Sequence, residues 1–189
     1  YMAVNEFNNN TFGMDCIIRI MNDFAITAPI TINNTNGTTL TIKGMTEDTT
    51  LTRGIGGENA LFNIAGANVV FEDIIIDGTY SGEVNSSMIQ INSILGGPDG
   101  KDVINEANVE FNNVVLQNNK MIQSEALIGT IFIDKSSVSM NECEIKGNVA
   151  SAGGAILIDT DNTVTITDSI ITGNRAFDGG GIWCGIGNT

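Results

Sequence analysis

The sequence predicts an all-β chain wound as a right-handed parallel β-helix, a solenoid with three short strands in each coil. Three observations carry this. The composition favours strands and turns, one segment recurs at coil-length spacing, and apolar residues alternate with period two in every copy. Gly accounts for 22 of 189 residues and Pro for only 2, and Asn, Thr, Ile and Val are abundant. Such a chain is rich in turns and β-branched side chains. An apolar content of 42% suffices for a core, and the length suits a single domain spanning residues 1–189.

The recurring segment reads VVFEDIIIDG from Val69, VEFNNVVLQNN from Val109, VSMNECEIKGN from Val138 and VTITDSIITGN from Val164. Aligned, it yields four apolar columns. The first is Val69, Val109, Val138, Val164, and the second Phe71, Phe111, Met140, Ile166. Ile74, Val114, Cys143, Ser169 and then Ile76, Leu116, Ile145, Ile171 form the other two. Each pair of columns alternates with polar residues, and a two-residue step separates the pairs. That pattern describes two short strands joined at a tight corner.

A third strand repeats separately. Phe62 and Ile64, Ile89 and Ile91, Ile131 and Ile133, Ile156 and Ile158, and Ile182 and Cys184 alternate in the same way. Ile30 and Ile32 begin this series, and Leu40 and Ile42 begin the first. From Leu40, successive copies start 29, 40, 29 and 26 residues apart. Three strands and three turns fit in about 26 residues, one coil of a solenoid. Inward residues then stack on their equivalents above and below. An antiparallel sandwich would need hairpin turns between neighbouring strands and does not explain columns that recur by whole coils.

Each copy ends in a residue suited to positive φ: Gly78, Asn118, Gly147, Gly173. The next column is Thr79, Asn119, Asn148, Asn174, where stacked amides are expected to satisfy turn backbone. The insertions 43–60, 79–87, 93–106 and 117–129 interrupt the regular coil, and loops on a rigid scaffold are where contacts are made. Residues from Tyr1 read as strand-like, and any leader is expected to have been removed. No capping repeat is legible before Thr189, so the chain reads as part of a longer repeat protein.

The last two copies contain NVASAGGAI (148–156) and NRAFDGGGI (174–182). An Asn, an Ala two residues on and a Gly pair before an apolar strand resemble the repeats of chlamydial polymorphic outer-membrane proteins. Their GGAI motif is present at Gly153 to Ile156 and becomes GGGI at Gly179 to Ile182. Their FxxN motif corresponds to Ile145–Asn148 and Ile171–Asn174, with Ile for Phe. More loosely, segments such as 64–78 are similar to pectate-lyase-like β-helices. The first resemblance implies a secreted or cell-surface, adhesin-like or structural module. Its expected partner is a cell-surface or matrix component, another copy of itself, or a carbohydrate. The second implies the alternative, a polysaccharide lyase, glycosidase or sugar-binding domain.

The residues restrict the chemistry. A net charge of −14 leaves no basic footprint for nucleic acid, and solubility explains it plainly. There is no His, the commonest general base and zinc ligand, and no apolar run long enough for a transmembrane helix. Basic candidates for a lyase are few: Arg19, Arg53, Arg175 and some lysines. Corner columns set Glu142 and Asp168 on neighbouring coils, the one acid pair for a glycosidase, though a turn-forming role explains them more simply. Asp99 and Asp102 are candidate binding residues that could touch calcium, but EF-hand spacing is absent, and neither a metal site nor a cofactor is expected. Trp183, between Ile182 and Cys184, should face outward and is the third binding candidate. Cys16, Cys143 and Cys184 lie in apolar runs and are expected to be buried thiols. Sequons occur at Asn9, Asn33, Asn36 and Asn85.

Overall fold

The computed structural model describes residues 1–10, 13–97, 100, 102–121 and 127–189. After a helix, α1 (Met2–Asn8), the chain winds into a parallel β-solenoid of about six turns. The first coil holds β1 (Cys16–Ile20), β2 (Phe24–Ile26) and β3 (Ile30–Ile32). The second holds β4 (Thr39–Gly44), β5 (Thr50–Arg53) and β6 (Phe62–Ala65). In the third, β7 (Asn68–Asp77) runs through the corner and β8 (Ile89–Asn92) follows. A hairpin of β9 (Ile94–Gly96) and β10 (Asp102–Asn105) precedes the fourth coil, β11 (Asn108–Gln117) and β12 (Ile131–Asp134). The fifth has β13 (Ser137–Asn141), β14 (Glu144–Lys146) and β15 (Ile156–Ile158), and the sixth β16 (Thr163–Thr167), β17 (Ile170–Thr172) and β18 (Ile182–Cys184).

One sheet runs β1-β4-β7-β11-β13-β16, extended sideways by β2, β5, β14 and β17; the second runs β3-β6-β8-β12-β15-β18. Both are parallel throughout, as the repeat requires. Val69, Val109, Val138 and Val164 are direct partners on neighbouring strands, and so are Phe71, Phe111, Met140 and Ile166. Leu40 and Ile42 extend both columns downward. The third-strand series from Ile30 to Ile182 is in register in the same way. These columns form one continuous core, in which the Phe71 and Phe111 rings stack at 5.2 Å and Phe62 meets Phe71 edge-on at 5.1 Å. Burying each such ring contributes roughly 1.5–3 kcal/mol.

The corner between the first two strands is made by one left-handed residue in each coil from the third to the sixth: Asp73, Asn113, Glu142 and Asp168, with φ of 51°, 54°, 54° and 48°. Asn and Asp tolerate this conformation well, whereas Glu is less common there. In β7 and β11 the strand continues through the bend, while in the last two coils it divides.

At the second corner the amide ladder forms. The backbone N–H of Asn119 donates to Asn148 Oδ1 (2.9 Å), and that of Asn148 to Asn174 Oδ1 (3.0 Å). Asn148 Nδ2 donates to Leu116 O and Asn174 Nδ2 to Ile145 O, so each amide also satisfies a carbonyl of the preceding coil. A second ladder at the third corner was not singled out from sequence. There the N–H groups of Ser136 and Asn162 donate to Asn162 Oδ1 and Asn188 Oδ1. Asn119, Asn148 and Asn162 are buried and would be costly without these bonds.

The structure corrects several expectations, and within 43–60 it places the regular strand β5. Residues 2–8 are helical, not strand-like. Val4 and Phe7, one turn apart, bury against the first coil, and Asn8 Nδ2 donates to Thr31 O on β3 (2.8 Å), so α1 packs across the face of the first coil away from the second. Gly78 does not take positive φ, although Asn118, Gly147 and Gly173 do. Glycine is needed at 78 because a β-carbon there would press on the backbone of Asn119, 2.5 Å from its Cα. Cys184 sits in its inward column, opposite Ile158, yet is exposed, because no described strand stacks on the other side of β18. The insertion 93–106 contains the β9–β10 hairpin, an antiparallel pair in an otherwise parallel molecule. Cys143 is buried as expected, Cys16 is half-buried, and all three thiols are free.

The GGAI segment has a local cause. Gly153 and Gly179 lie at φ 59° and 58°. A β-carbon on Gly154 would meet Gly180 O and sit 2.8 Å from Arg175 N, so the turns of adjacent coils stack at backbone distance.

Candidate functional site

Glu142 and Asp168 occupy the same left-handed corner position on successive coils, and the Glu142 N–H donates to Thr167 O (3.3 Å). Both are exposed. Two coils away, the same corner is a small charged network. Lys43 Nζ lies 2.6 Å from Glu72 and 3.0 Å from Asp73, and Asn113 Nδ2 donates to Asp73 Oδ1 (2.9 Å). The Asn113 hydrogen bond and Lys43 hold Asp73 below the usual carboxylate range, and hydrogen bonds to Glu72 and then Asp73 raise Lys43. The shared feature of these positions is the bend they impose on the backbone.

Asp102 opens β10 and is exposed, and its carboxylate lies over Gly97 at the hairpin turn. Asp99 lies outside the described residues. No group of three or more acidic, Cys or His side chains suited to a metal occurs among the described residues. Trp183 pairs with Leu157 in the outward column of the second sheet, which reads Asn63, Gln90, Phe132, Leu157, Trp183. Leu157 is only 1% exposed because the segment around Gly129 covers it, and Trp183 beside it is half-buried. Ring contacts among the described residues are confined to Phe62, Phe71 and Phe111, so Phe177 and Trp183 do not pair.

Three surface features stand out among the described residues. A shallow groove of about 180 Å³ crosses the outer face of β11, β13 and β16, lined by polar side chains including Asn108, Glu110, Ser139 and Thr165. A second recess of about 310 Å³ is walled by Met121, Val149, Ala150, Ala176 and Phe177, with Arg175 at its side. Third, the β9–β10 hairpin leaves the corner after β8, packs Ile94 and Asn105 over Gly66, and exposes Leu95, Val103 and Ile104.

Arg53 received no role from sequence beyond being basic. It is 3% exposed, and it faces inward because it ends the alternating strand Thr50–Arg53 in register with Ile26. That register was readable in the sequence and is the signal that could have found it. Nη1 donates to Ile55 O and Asn59 O, while Nη2 donates to Ser87 O (3.2 Å) and Asn119 Oδ1 (3.0 Å). Reaching from the second coil to Asn119 in the fourth, the guanidinium thus ends the amide ladder, which Thr79 in the third coil does not continue. Burial pulls its pKa down to about 10.

No helix among the described residues is long and apolar enough to cross a membrane. In comparison with known proteins, the chain matches no family model, no curated protein and no solved structure.

Proposed function

We propose that this chain is an adhesin-like or structural module of a secreted or cell-surface protein, which binds or assembles through its loops and solenoid faces. The observation that carries the reading is the β9–β10 hairpin. It is held by packing at its base, yet Leu95, Val103 and Ile104 remain 40%, 47% and 58% exposed. Apolar side chains on a projecting hairpin, anchored to coils that laddered amides lock together, suit contact with a partner surface. Matrix proteins, whole cells and the chain itself should be tested as immobilised partners. The double variant Val103→Ser with Ile104→Ser should lose binding while its thermal melt stays unchanged. Undiminished binding by that variant rules out the hairpin.

The second reading, a carbohydrate-binding or carbohydrate-active domain, is favoured by the polar groove across β11, β13 and β16. Acidic and neutral polysaccharides, with and without calcium, belong in the same panel. Cleavage abolished by Glu142→Gln or Asp168→Asn would promote it over the first.

A further inference from the structure

The polar groups around Arg53 point to a ligand that neither functional reading uses. Its four hydrogen bonds all go to neutral oxygens, and among the described residues no carboxylate pairs with it. A buried cation surrounded only by neutral dipoles is poorly compensated. Three further donors, on Arg53 itself and on residues linked to it by hydrogen bonds, are buried and have no partner: Arg53 Nε, Ser86 Oγ and Ser87 Oγ. Ser86 is 3% exposed and Ser87 is 0% exposed. Hydrogen bonds tie these residues into one neighbourhood. Arg53 Nη2 donates to Ser87 O, and Asn119, which accepts from Arg53, donates from Nδ2 to Ser86 O (3.3 Å). A fourth unpartnered atom, Asn85 Oδ1, is an acceptor and stands outside this donor set.

We infer that Arg53 Nε and the hydroxyls of Ser86 and Ser87 together hold a small monovalent anion of the halide class, buried at the second corner. The chemistry selects that class. One fixed positive charge with one N–H and two O–H donors matches a compact anion with no hydrogen to donate, whereas a bulky polyanion would have to displace the backbone that Arg53 already binds. The ion would also steady the foot of the amide ladder, because Asn119 accepts from the same guanidinium.

The test uses the intact chain in chloride or gluconate at constant ionic strength, read by thermal denaturation, together with anomalous diffraction from bromide-soaked crystals. Melting temperature should rise with chloride to saturation, and a bromide peak should lie within hydrogen-bonding distance of Arg53 Nε. Arg53→Met should abolish the chloride dependence. Should that variant not fold, Ser86→Ala carries the test, because loss of one hydroxyl donor should raise the half-saturating chloride concentration roughly tenfold. Equal melting in chloride and gluconate, a dependence untouched by Ser86→Ala, or ordered water alone at Nε would each overturn the inference.

Discussion

In the first coil Ile26 and Ile32 are wholly buried, whereas no residue of β16, β17 or β18 in the sixth coil is buried. The two coils carry the same alternating pattern. They differ in what lies beyond them along the solenoid axis. Below the first coil, α1 sets Val4 and Phe7 against β3, while Phe24, away from the helix, stays 43% exposed. Beyond the sixth coil no described strand stacks on Ile182 or Cys184, and both are exposed. In a solenoid an inward side chain is buried only when it has a neighbour on both axial sides, so inward orientation and burial are separate properties.

The sharpest way to break this comparison is to truncate one inward residue in a middle coil and one in the sixth. Phe111→Ala, in the middle of the ring stack, should cost about 3–5 kcal/mol in chemical denaturation. Ile182→Ala, on the open coil, should cost about 1 kcal/mol or less. Equal losses would mean that the sixth coil is covered in solution.

The amide ladders offer a second contrast. Asn148→Ala strands the buried N–H of Asn119 and the carbonyl of Leu116, at a cost of about 2–3 kcal/mol. Asn188→Ala removes a half-buried rung and should cost about 1 kcal/mol. Cysteine labelling then reads the difference without altering the core. Cys184 should react quickly with a bulky thiol reagent, and Cys143 at least ~10²-fold more slowly, since burial both shields it and raises its pKa. Comparable rates would show that the middle coils open as readily as the last.

The smallest expected effect concerns acid. Burial alone would raise Asp77, but hydrogen bonds from Thr79, Gln117 and Asn118 outweigh it and hold the carboxylate below its ordinary value. A lowered folded pKa means that its stabilisation is full above the unfolded value, near 3.9 for a free Asp, and fades as pH falls through the folded value. Asp77→Asn should flatten the acid limb of the stability curve, read as melting temperature against pH. An unchanged limb would place the acid sensitivity elsewhere.

How far the sequence could be read follows from where each feature gets its energy. The core columns from Val69 to Val164 and the Asn119–Asn148–Asn174 ladder were legible because each coil repeats the same local requirement. The stacked corner position of Glu142 and Asp168 was legible for the same reason, as was the column of Trp183. Helix α1 was not, because seven residues with only Val4 and Phe7 on one face hold as a helix through docking on β3. Leu157 was not either: its outward position predicts exposure, and only the fold of the segment around Gly129 buries it. The role of Arg53 depends on Asn119, 66 residues away in sequence, and no local pattern connects them.

By itself, then, the sequence determined the coil: its period, its inward residues, its left-handed corners and its laddered amides, all set by alternation and turn chemistry within a few residues. Tertiary structure alone decided which inward residues are dry and which glycine is needed for space instead of for positive φ. It also decided where an isolated guanidinium comes to rest, because each of these depends on the coil, helix or loop that stacks against the position along the solenoid axis.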